Sequence, residues 1–381
     1  MALPSSGIIT AAMINAELGR ASNAAINLND PAVRALAGKP SGAISFSDFY
    51  GKSSEVVVTL TSRTAVCLQD LFSAADWASN TAKRVVIPSG VEIGATNLDW
   101  ALVQAWDATG QAGSWGGSLT LENRGVISGM GGAANSGRGG NALRIIFGGR
   151  SGQKLLVNNL GTIRGGGGGG GRAGNGGQGG NGVWWNQYWV YDPSNGAWLY
   201  NLWNPGTYWN TTYMGAELYW YDTRVASGLN NGATTFETGG WVYERGPMAV
   251  DNGGGLAAYH IRRRRLQSDP VYTTGGAGGA GGNGGVGQGY GQSASAGANG
   301  AGGSAGGTNA GAGGTGGRGG NGGGWGAAGA AGATGNTGAA GNNGGGYAGA
   351  GGAGGGAAGY YLTGSANVTW LNTGTRQGLV N

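Results

Sequence analysis

Aromatic side chains separated by small polar residues dominate one stretch of the sequence, residues 183–272. This stretch holds 8 of the 14 tryptophans and 10 of the 15 tyrosines, with asparagine, glycine and threonine between them. Large rings give contact area at low entropic cost, and the small polar residues add adaptable hydrogen bonds. The pattern favours a recognition surface for a protein or for the faces of sugar rings. The alternative is that the rings form the core of a small β-domain.

The candidate contact residues fall into two groups, a large one in this aromatic stretch and a small one in the glycine-rich sequence that follows. Those of the aromatic stretch are Trp184, Trp185, Tyr188, Trp189, Tyr191, Trp198, Tyr200, Trp203, Tyr208, Trp209, Tyr213, Tyr219, Trp220, Tyr221, Trp241 and Tyr243. Three more rings interrupt the glycine-rich sequence, where loops are expected, and are predicted to be secondary contact points: Tyr290, Trp325 and Tyr347.

Residue types that could carry catalysis are few. Carboxylates lie among the rings, at Asp192, Glu217, Asp222, Glu237 and Glu244, and two carboxylates can hydrolyse a glycan, but nothing in their spacing selects a pair. The chain has a single histidine and a single cysteine, which argues against a zinc cluster or a Ser/His/Asp triad. The sequence therefore predicts no enzyme, no metal site and no cofactor, and a polysaccharide depolymerase is the catalytic alternative.

The charge balance is mild, at +5 net with a pI near 9.3. One dense basic cluster occurs, Arg262–Arg265. The favoured interpretation is a strand whose arginines face solvent or pair with Asp251, Asp269 and Glu244, and the alternative is a patch that contacts phosphate or lipopolysaccharide. Proteins that bind nucleic acid usually gather much more charge on one face, so no nucleic-acid partner is predicted.

Glycine makes up 92 of the 381 residues, while only 8 are proline, which excludes collagen. A short tract spans Gly165–Gly182 and a long one spans Gly275–Gly359. From Gly311 to Gly344 every third residue is glycine. A threefold period matches a polyproline-II-type helix, whose bare glycine faces would let neighbouring helices bond backbone to backbone. The alternative to this polyglycine-II bundle is a disordered linker.

A repeated frame, L-x-[LV]-x-N-x-G-x-I-x-G, predicts strand, turn and strand. It occurs at 119–129 and again at 155–165, and a third copy, with arginine in place of the isoleucine, lies at 368–378. Apolar residues alternate with polar ones, and Asn-x-Gly supplies the turn. Three copies predict stacked rungs or hairpins of one β unit.

The first 54 residues carry short helical signals. Asp30 followed by Pro31 predicts a helix N-terminus, and Ser45 with Asp48 fits a capping box. So few apolar residues cannot bury a large core, which indicates a docking module that completes its core on a partner. The candidate docking residues are Leu3, Pro4, Ile9, Ile44, Phe46, Phe49 and Tyr50.

Both ends of the chain resemble known proteins. The start MALPSSGIIT, the phrase RALAGKPSGAISFSDFYGKSS at 34–54 and the end GSANVTWLNTGTR at 364–376 are similar to tail-associated virion proteins of tailed bacteriophages. The alternation of glycine motifs with aromatic segments resembles the receptor-recognising adhesins at the tips of T-even-type long tail fibres. That resemblance implies a polyglycine-II bundle with host-recognising loops at its end. This chain departs from the tip adhesins in its docking module and in its single large aromatic insertion.

The predicted fold is mainly β with a polyglycine-II helix bundle. The expected regions are an N-terminal virion-docking module at 1–54, a β-rich body with strand-turn repeats at 55–164, a first glycine-rich tract at 165–182, an aromatic insertion at 183–274, the polyglycine-II bundle at 275–359 and a C-terminal β segment at 360–381.

The predicted function is a phage tail-fibre or tail-tip adhesin that binds an outer-membrane protein or a glycan of the host during adsorption. The alternative is a purely structural virion protein, a head fibre or baseplate spacer, whose aromatics pack subunit against subunit. Expected partners are tail or baseplate proteins bound through residues 1–54 and a host surface protein or polysaccharide, with a homotrimer as one assembly. Because the start lacks a secretory signal, assembly in the host cytoplasm and a place in the virion tail are expected.

Overall fold

A computed structural model describes residues 3–105, 114–192, 196–200, 207–210, 216–221, 223–253 and 256–381. The fold is mainly β with a few short helices. The chain divides into two compact units: unit 1 comprises Met1–Gly180 and Gly275–Asn381, and unit 2 comprises Asn181–Thr274.

The described helices are short and lie in unit 1. The Asp30 carboxylate accepts a hydrogen bond from the Ala32 N–H at 2.8 Å, and the Asp48 carboxylate accepts one from the Ser45 N–H at 2.7 Å, so both predicted helix starts are confirmed. The α-helices are α1 (Ala11–Glu17), α2 (Pro31–Ala37) and α3 (Ala74–Ala78), and the 3-10 helices are Phe46–Phe49, Gln69–Leu71 and Ser365–Asn367.

Three parallel sheets of five strands each form the body of unit 1. The first sheet contains β1 (Glu55–Thr59), β4 (Ala82–Ile87), β7 (Leu119–Asn123), β10 (Leu155–Asn159) and β20 (Val368–Asn372). The second contains β2 (Arg63–Thr64), β5 (Glu92–Gly94), β8 (Val126–Ser128), β11 (Thr162–Arg164) and β21 (Thr375–Gln377). The third contains β3 (Val66–Cys67), β6 (Leu102–Val103), β9 (Leu143–Arg144), β19 (Tyr360–Thr363) and β22 (Leu379–Val380).

The sheets belong to a β-solenoid, because each turn of the chain adds one strand to each sheet. The strand order gives five rungs stacked in parallel register. The fourth rung is interrupted: β11 ends at Arg164 and β19 begins at Tyr360. Residues 165–359, which include both glycine tracts and unit 2, are therefore inserted within a single rung.

The repeated sequence frame forms adjacent rungs, so the rung interpretation is confirmed and the hairpin interpretation is wrong. Leu121 pairs with Val157, and Ile127 pairs with Ile163, so equivalent residues of two copies stack in a shared buried core. The turn asparagine is also stacked. The Asn123 Nδ2 donates to Asn159 Oδ1 at 2.8 Å, and Asn159 Nδ2 donates to the Thr373 carbonyl at 2.7 Å.

The glycine tracts form a lattice of extended segments joined by backbone hydrogen bonds. Along one pair of segments the N–H groups of Gly276, Gly279, Gly282 and Gly285 donate to the carbonyls of residues 311, 314, 317 and 320. The bonds therefore recur every three residues. The backbones approach so closely that a Cβ at Gly174 would lie 1.7 Å from the Ala350 carbonyl oxygen, which only glycine can avoid.

The short tract is the centre of this lattice. Its segment 167–180 donates to 276–288 and to 327–339, and it accepts from 311–323 and from 347–356. The tract begins with an uninterrupted glycine run, Gly165–Gly171, and that run is fully buried. Glycine at these positions leaves room for backbone neighbours on several sides.

Unit 2 is a single antiparallel sheet in the part that the structure describes. Its strands are β12 (Gly182–Asp192), β13 (Tyr208–Asn210), β14 (Ala216–Trp220), β15 (Thr223–Leu229), β16 (Thr235–Thr238), β17 (Trp241–Gly253) and β18 (Leu256–Thr273).

Candidate functional site

The longest strand, β18, positions most of the aromatic side chains of unit 2. Near its start it pairs with β13, and as far as Arg264 it pairs with β17. Its second half, 263–273, pairs with β12. Beyond Arg264, β12 and β18 continue as a two-stranded ribbon, since no other described strand pairs with either of them there.

Three of the predicted contact rings lie in the core of unit 2. Trp209, Trp220 and Tyr243 are 0%, 4% and 5% exposed and pack with Leu218 and Ile261. Trp220 and Tyr243 meet edge to face with ring centroids 5.8 Å apart, a favourable aromatic geometry. The core interpretation, which the sequence left as an alternative, describes these three rings, and they present no contact surface.

The arginine cluster is held by internal ion pairs. The Glu244 carboxylate lies 2.6 Å from Arg262 and 2.8 Å from Arg264, and the Asp192 carboxylate lies 2.6 Å from Arg263. The predicted pairing with Glu244 is confirmed, whereas the sequence analysis missed Asp192 as a partner. Three of the four arginines are thus ion-paired, with Glu244 shared between two of them, so the cluster keeps part of its positive charge but is not a free basic patch.

The guanidinium groups also lie over aromatic rings, within the range of cation–π attraction. The groups and rings, with the distances from Cζ to ring centroid, are Arg262 over Trp198 at 4.2 Å, Arg262 over Tyr191 at 4.8 Å, Arg263 over Trp241 at 4.3 Å, Arg263 over Trp220 at 4.5 Å, Arg264 over Trp189 at 4.2 Å and Arg265 over Trp241 at 5.1 Å. These contacts fix the orientation of the rings that border the ribbon.

The ribbon exposes large apolar side chains on both of its faces. Strand alternation puts Trp185 and Trp189 on one face and Trp184 and Tyr188 on the other, and all four are exposed. Their exposed neighbours on β18 are Leu266, Val271 and Tyr272, of which Tyr272 is 70% exposed. The sequence analysis missed these three, although their place in an alternating run after Arg265 was a usable signal.

The Tyr188 hydroxyl donates to the Asp269 carboxylate across the ribbon. This hydrogen bond raises the pKa of Tyr188 above its usual value, because the bond requires the protonated phenol. Asp269 was predicted to pair with an arginine, and its observed hydrogen bonds come instead from Tyr188 and Gln267.

The remaining predicted rings of this stretch have intermediate positions. Tyr208 and Tyr219 stack with centroids 5.0 Å apart, and Tyr200 lies 5.4 Å from the His260 ring. Tyr221 is exposed. Half-buried rings are Tyr191, Trp198, Tyr200, Tyr208, Tyr219 and Trp241. Trp203, Tyr213 and the carboxylate residue Asp222 lie outside the described residues.

A cleft of about 340 Å³ lies where the β16–β17 turn meets the ribbon. We call it the Trp189 cleft. Its lining combines apolar side chains with polar groups: Trp189, Glu237, Thr238, Gly240, Trp241, Val242 and Leu266. Glu237 has no ion-pair partner among the residues that the structure describes, whereas Asp192, Glu217 and Glu244 are each paired with arginine.

Two of the three rings predicted as secondary contact points pack inside unit 1. The Tyr290 ring occupies the space above Gly94, where a Cβ would lie 2.2 Å from it. The Arg164 guanidinium lies 3.7 Å from the Trp325 ring centroid and 3.0 Å from Glu92. Tyr347 differs from both, because it is 62% exposed.

The candidate docking residues of the first 54 also divide between core and surface. Leu3, Ile9 and Phe49 are buried in a small core, with Ile44 packed against it, and Pro4 is half-buried. Phe46 and Tyr50 are exposed, and the Tyr50 hydroxyl donates to the Gly7 carbonyl. Ile8, which the sequence analysis did not select, is 84% exposed.

Residues 55–198 match the family model described as phage tail fibre adhesin Gp38. The chain resembles the phage tail fibre adhesins. The match begins with the first strand of the solenoid, includes the central glycine tract and extends through the β12 strand of the ribbon. It bears out the resemblance to tail-tip adhesins.

One solved structure is similar along nearly the whole chain. It is the crystal structure of the gp37–gp38 adhesin tip complex of the bacteriophage S16 long tail fibre, with 17% identity, coverage of 99% of this chain and 100% of that chain, and a TM-score of 0.32. Comparison with curated proteins gave no significant match.

The described residues contain no group of three or more His, Cys, Asp or Glu side chains that could hold a metal ion. No described helix has the length and apolar character that crossing a membrane requires.

Proposed function

We propose that this chain is the receptor-binding adhesin of a phage tail fibre and that the ribbon of unit 2 contacts the host cell surface. The observation that carries the proposal is the ribbon itself, which leaves both faces of a Trp- and Tyr-rich strand pair uncovered. Exposed apolar patches of this kind mark interaction sites. The similarity of residues 55–198 to tail fibre adhesins supports the assignment of the chain to a tail fibre.

The division of the rings into two classes supports this assignment. Trp209 and Trp220 lie in the hydrophobic core of unit 2, and none of the exposed ribbon rings belongs to that core. Trp185 and Tyr272 instead remain 59% and 70% exposed. Tryptophan and tyrosine are the residues most enriched among the energetic centres of binding surfaces, which is the role proposed for them here.

We also propose that the glycine segments are polyglycine-II helices that form a stiff scaffold at 165–182 and 275–359. The recurrence of hydrogen bonds every three residues supports this assignment. A lattice held by backbone alone tolerates variation in its outward side chains. Such a scaffold suits an adhesin, because the recognition sequence inserted at 183–274 can change without repacking the support.

The docking role is proposed for residues 1–54, with the exposed Ile8, Phe46 and Tyr50 as the contact surface and the buried Leu3, Ile9 and Phe49 as its support. The partner proposed for this surface is another protein of the tail fibre. We infer a place in the virion tail after assembly in the host cytoplasm, while a homotrimer and the exact region boundaries stay predictions.

Phage adsorption tests the proposal. We expect the double variant Trp185→Ala with Tyr272→Ala to assemble into intact particles whose adsorption rate falls at least about tenfold, since both rings lie on one face of the ribbon. The matched control is Leu160→Ala, which removes a 55% exposed apolar side chain from the solenoid. Unchanged adsorption would refute the proposal. Failed assembly with normal adsorption of the surviving particles would instead favour the purely structural role.

A further inference from the structure

The Trp189 cleft exists because two strand pairs end at different points along β18. Strand β17 pairs with β18 only as far as Val242 opposite Arg264, whereas β12 continues along β18 to Thr273. The turn that joins β16 to β17 therefore lies beside Leu266, where β18 pairs with β12 on one side and with no described strand on the other. This step places Trp189, Leu266 and Trp241 around one depression.

The aromatic wall of the cleft is preorganised. The Arg264 guanidinium covers one face of Trp189 at 4.2 Å, yet the ring remains 42% exposed. Trp241 is fixed by contacts with Arg263 and Arg265. A ring held in this way offers its free face to a ligand without losing further rotamer freedom on binding.

The polar part of the cleft suits a ligand rich in hydroxyl groups. The Glu237 carboxylate can accept two or more hydrogen bonds, and the Thr238 hydroxyl can both donate and accept. The apolar part, formed by Trp189, Val242 and Leu266, suits a ligand face made of C–H groups. A pyranose ring has both kinds of surface, with hydroxyls at its rim and C–H groups on its face.

The charge around the cleft favours a neutral ligand. Arg263 is paired with Asp192, and Arg264 shares the Glu244 carboxylate with Arg262. Among the described residues near the cleft, Glu237 and Arg265 are left without ion-pair partners, and their charges are opposite. Glu237 lies in the lining and repels an anionic ligand, whereas the incompletely compensated arginines beside the cleft disfavour a cationic one.

We propose that the Trp189 cleft binds a neutral sugar ring of a host envelope glycan, with the sugar stacked on Trp189 and its hydroxyls bonded to the Glu237 carboxylate, which register places on the same face of the sheet. The volume of about 340 Å³ lies at the low end of the roughly 300–1,000 Å³ usual for ligand clefts, which fits one or two sugar rings. The inference rests on the proposed function and names its ligand class.

The first test measures binding of the purified full chain to an array of neutral and acidic bacterial oligosaccharides, followed by saturation-transfer NMR with the free sugar. We expect binding to neutral sugars, a loss of at least about tenfold in affinity for Trp189→Ala and a several-fold loss for Glu237→Gln. Met248→Ala is the matched control, because it removes a 56% exposed apolar side chain of the same unit that does not line the cleft, and its affinity should be unchanged.

The second measurement keeps the inference separate from the proposed function. Trp189→Phe retains an aromatic face and should keep most of the sugar affinity if Trp189→Ala loses it through stacking rather than through misfolding. Absence of binding to every neutral sugar, preference for acidic ones, or full affinity of Trp189→Ala would overturn the inference. If the ribbon double variant still loses adsorption in that case, the adhesin assignment stands and its ligand is a protein surface.

Discussion

The glycine lattice of unit 1 and the aromatic sheet of unit 2 are held together by opposite kinds of contact. In the lattice nearly all the bonding is backbone to backbone, and contacts as close as that of Gly174 with the Ala350 carbonyl leave no room for a side chain. In unit 2 large side chains fill the core and guanidinium groups stack on the rings. One region excludes side chains and the other depends on them.

The comparison shows where sequence change is tolerated. A lattice position accepts only glycine where it faces another segment, but its outward positions carry alanine, asparagine, threonine and arginine. In unit 2 the buried rings are fixed by packing in the core, whereas the exposed ribbon rings are not packed there. Substitutions at the exposed ribbon positions are therefore expected to cost little stability.

The largest effect is expected for loss of a core ring in unit 2. Trp209→Ala removes a fully buried side chain and should lower the free energy of unfolding by about 3–5 kcal/mol. Trp185→Ala, the exposed counterpart, should change it by less than about 0.5 kcal/mol. Urea unfolding followed by tryptophan fluorescence measures both. Equal losses for the two variants would break the distinction between core and surface rings.

The next effect is expected in the lattice. Gly174→Ala adds only one methyl group, but its Cβ would lie 1.7 Å from the Ala350 carbonyl oxygen, where no side chain can move aside. We expect a loss of about 3 kcal/mol in the free energy of unfolding, from the smallest possible change of side chain. Circular dichroism melting measures the loss, and a neutral result would mean that the segments are not in backbone contact.

The local signals of unit 1 were readable from sequence because each depends on neighbouring residues. Asp30 capped its helix as predicted, and the repeated Asn-x-Gly frame gave adjacent rungs. The central place of the short tract agrees in retrospect with Gly165–Gly171, an unbroken glycine run whose residues are all buried. The sequence did not predict that β19 completes the fourth rung, because the whole insertion separates β11 from β19.

The candidate site was predictable as a region but not residue by residue. Trp185 and Trp209 stand in similar polar surroundings in the sequence, yet one is exposed and the other is fully buried. What separates them is long-range strand pairing: Trp209 lies opposite Tyr259 in the middle of the sheet, and Trp185 lies opposite Pro270 in the ribbon. Alternation within a strand gives no information on whether another layer covers it.

A medium effect is expected for the ion pairs that hold the arginine cluster. Glu244→Gln keeps the size of the side chain but removes the charge that binds Arg262 and Arg264, leaving two guanidiniums partly buried. We expect a loss of about 2 kcal/mol in the free energy of unfolding. Glu217→Gln is the control, since its contact with Arg224 is longer at 3.7 Å and more exposed, and it should cost under about 0.5 kcal/mol.

The smallest effect is also the sharpest test of the lattice, because two adjacent glycines should respond with opposite signs. A Cβ at Gly352 would lie 2.1 Å from the Gly332 carbonyl oxygen, whereas a Cβ at Gly351 would meet nothing within 4 Å. Gly351→Ala should therefore stabilise the protein by about 0.4–1 kcal/mol, because alanine restricts the unfolded chain more than glycine does. Gly352→Ala should destabilise it. Melting of the two variants side by side measures the difference, and a Gly351→Ala variant as unstable as its neighbour would mean that the outward glycines, too, are held against a surface.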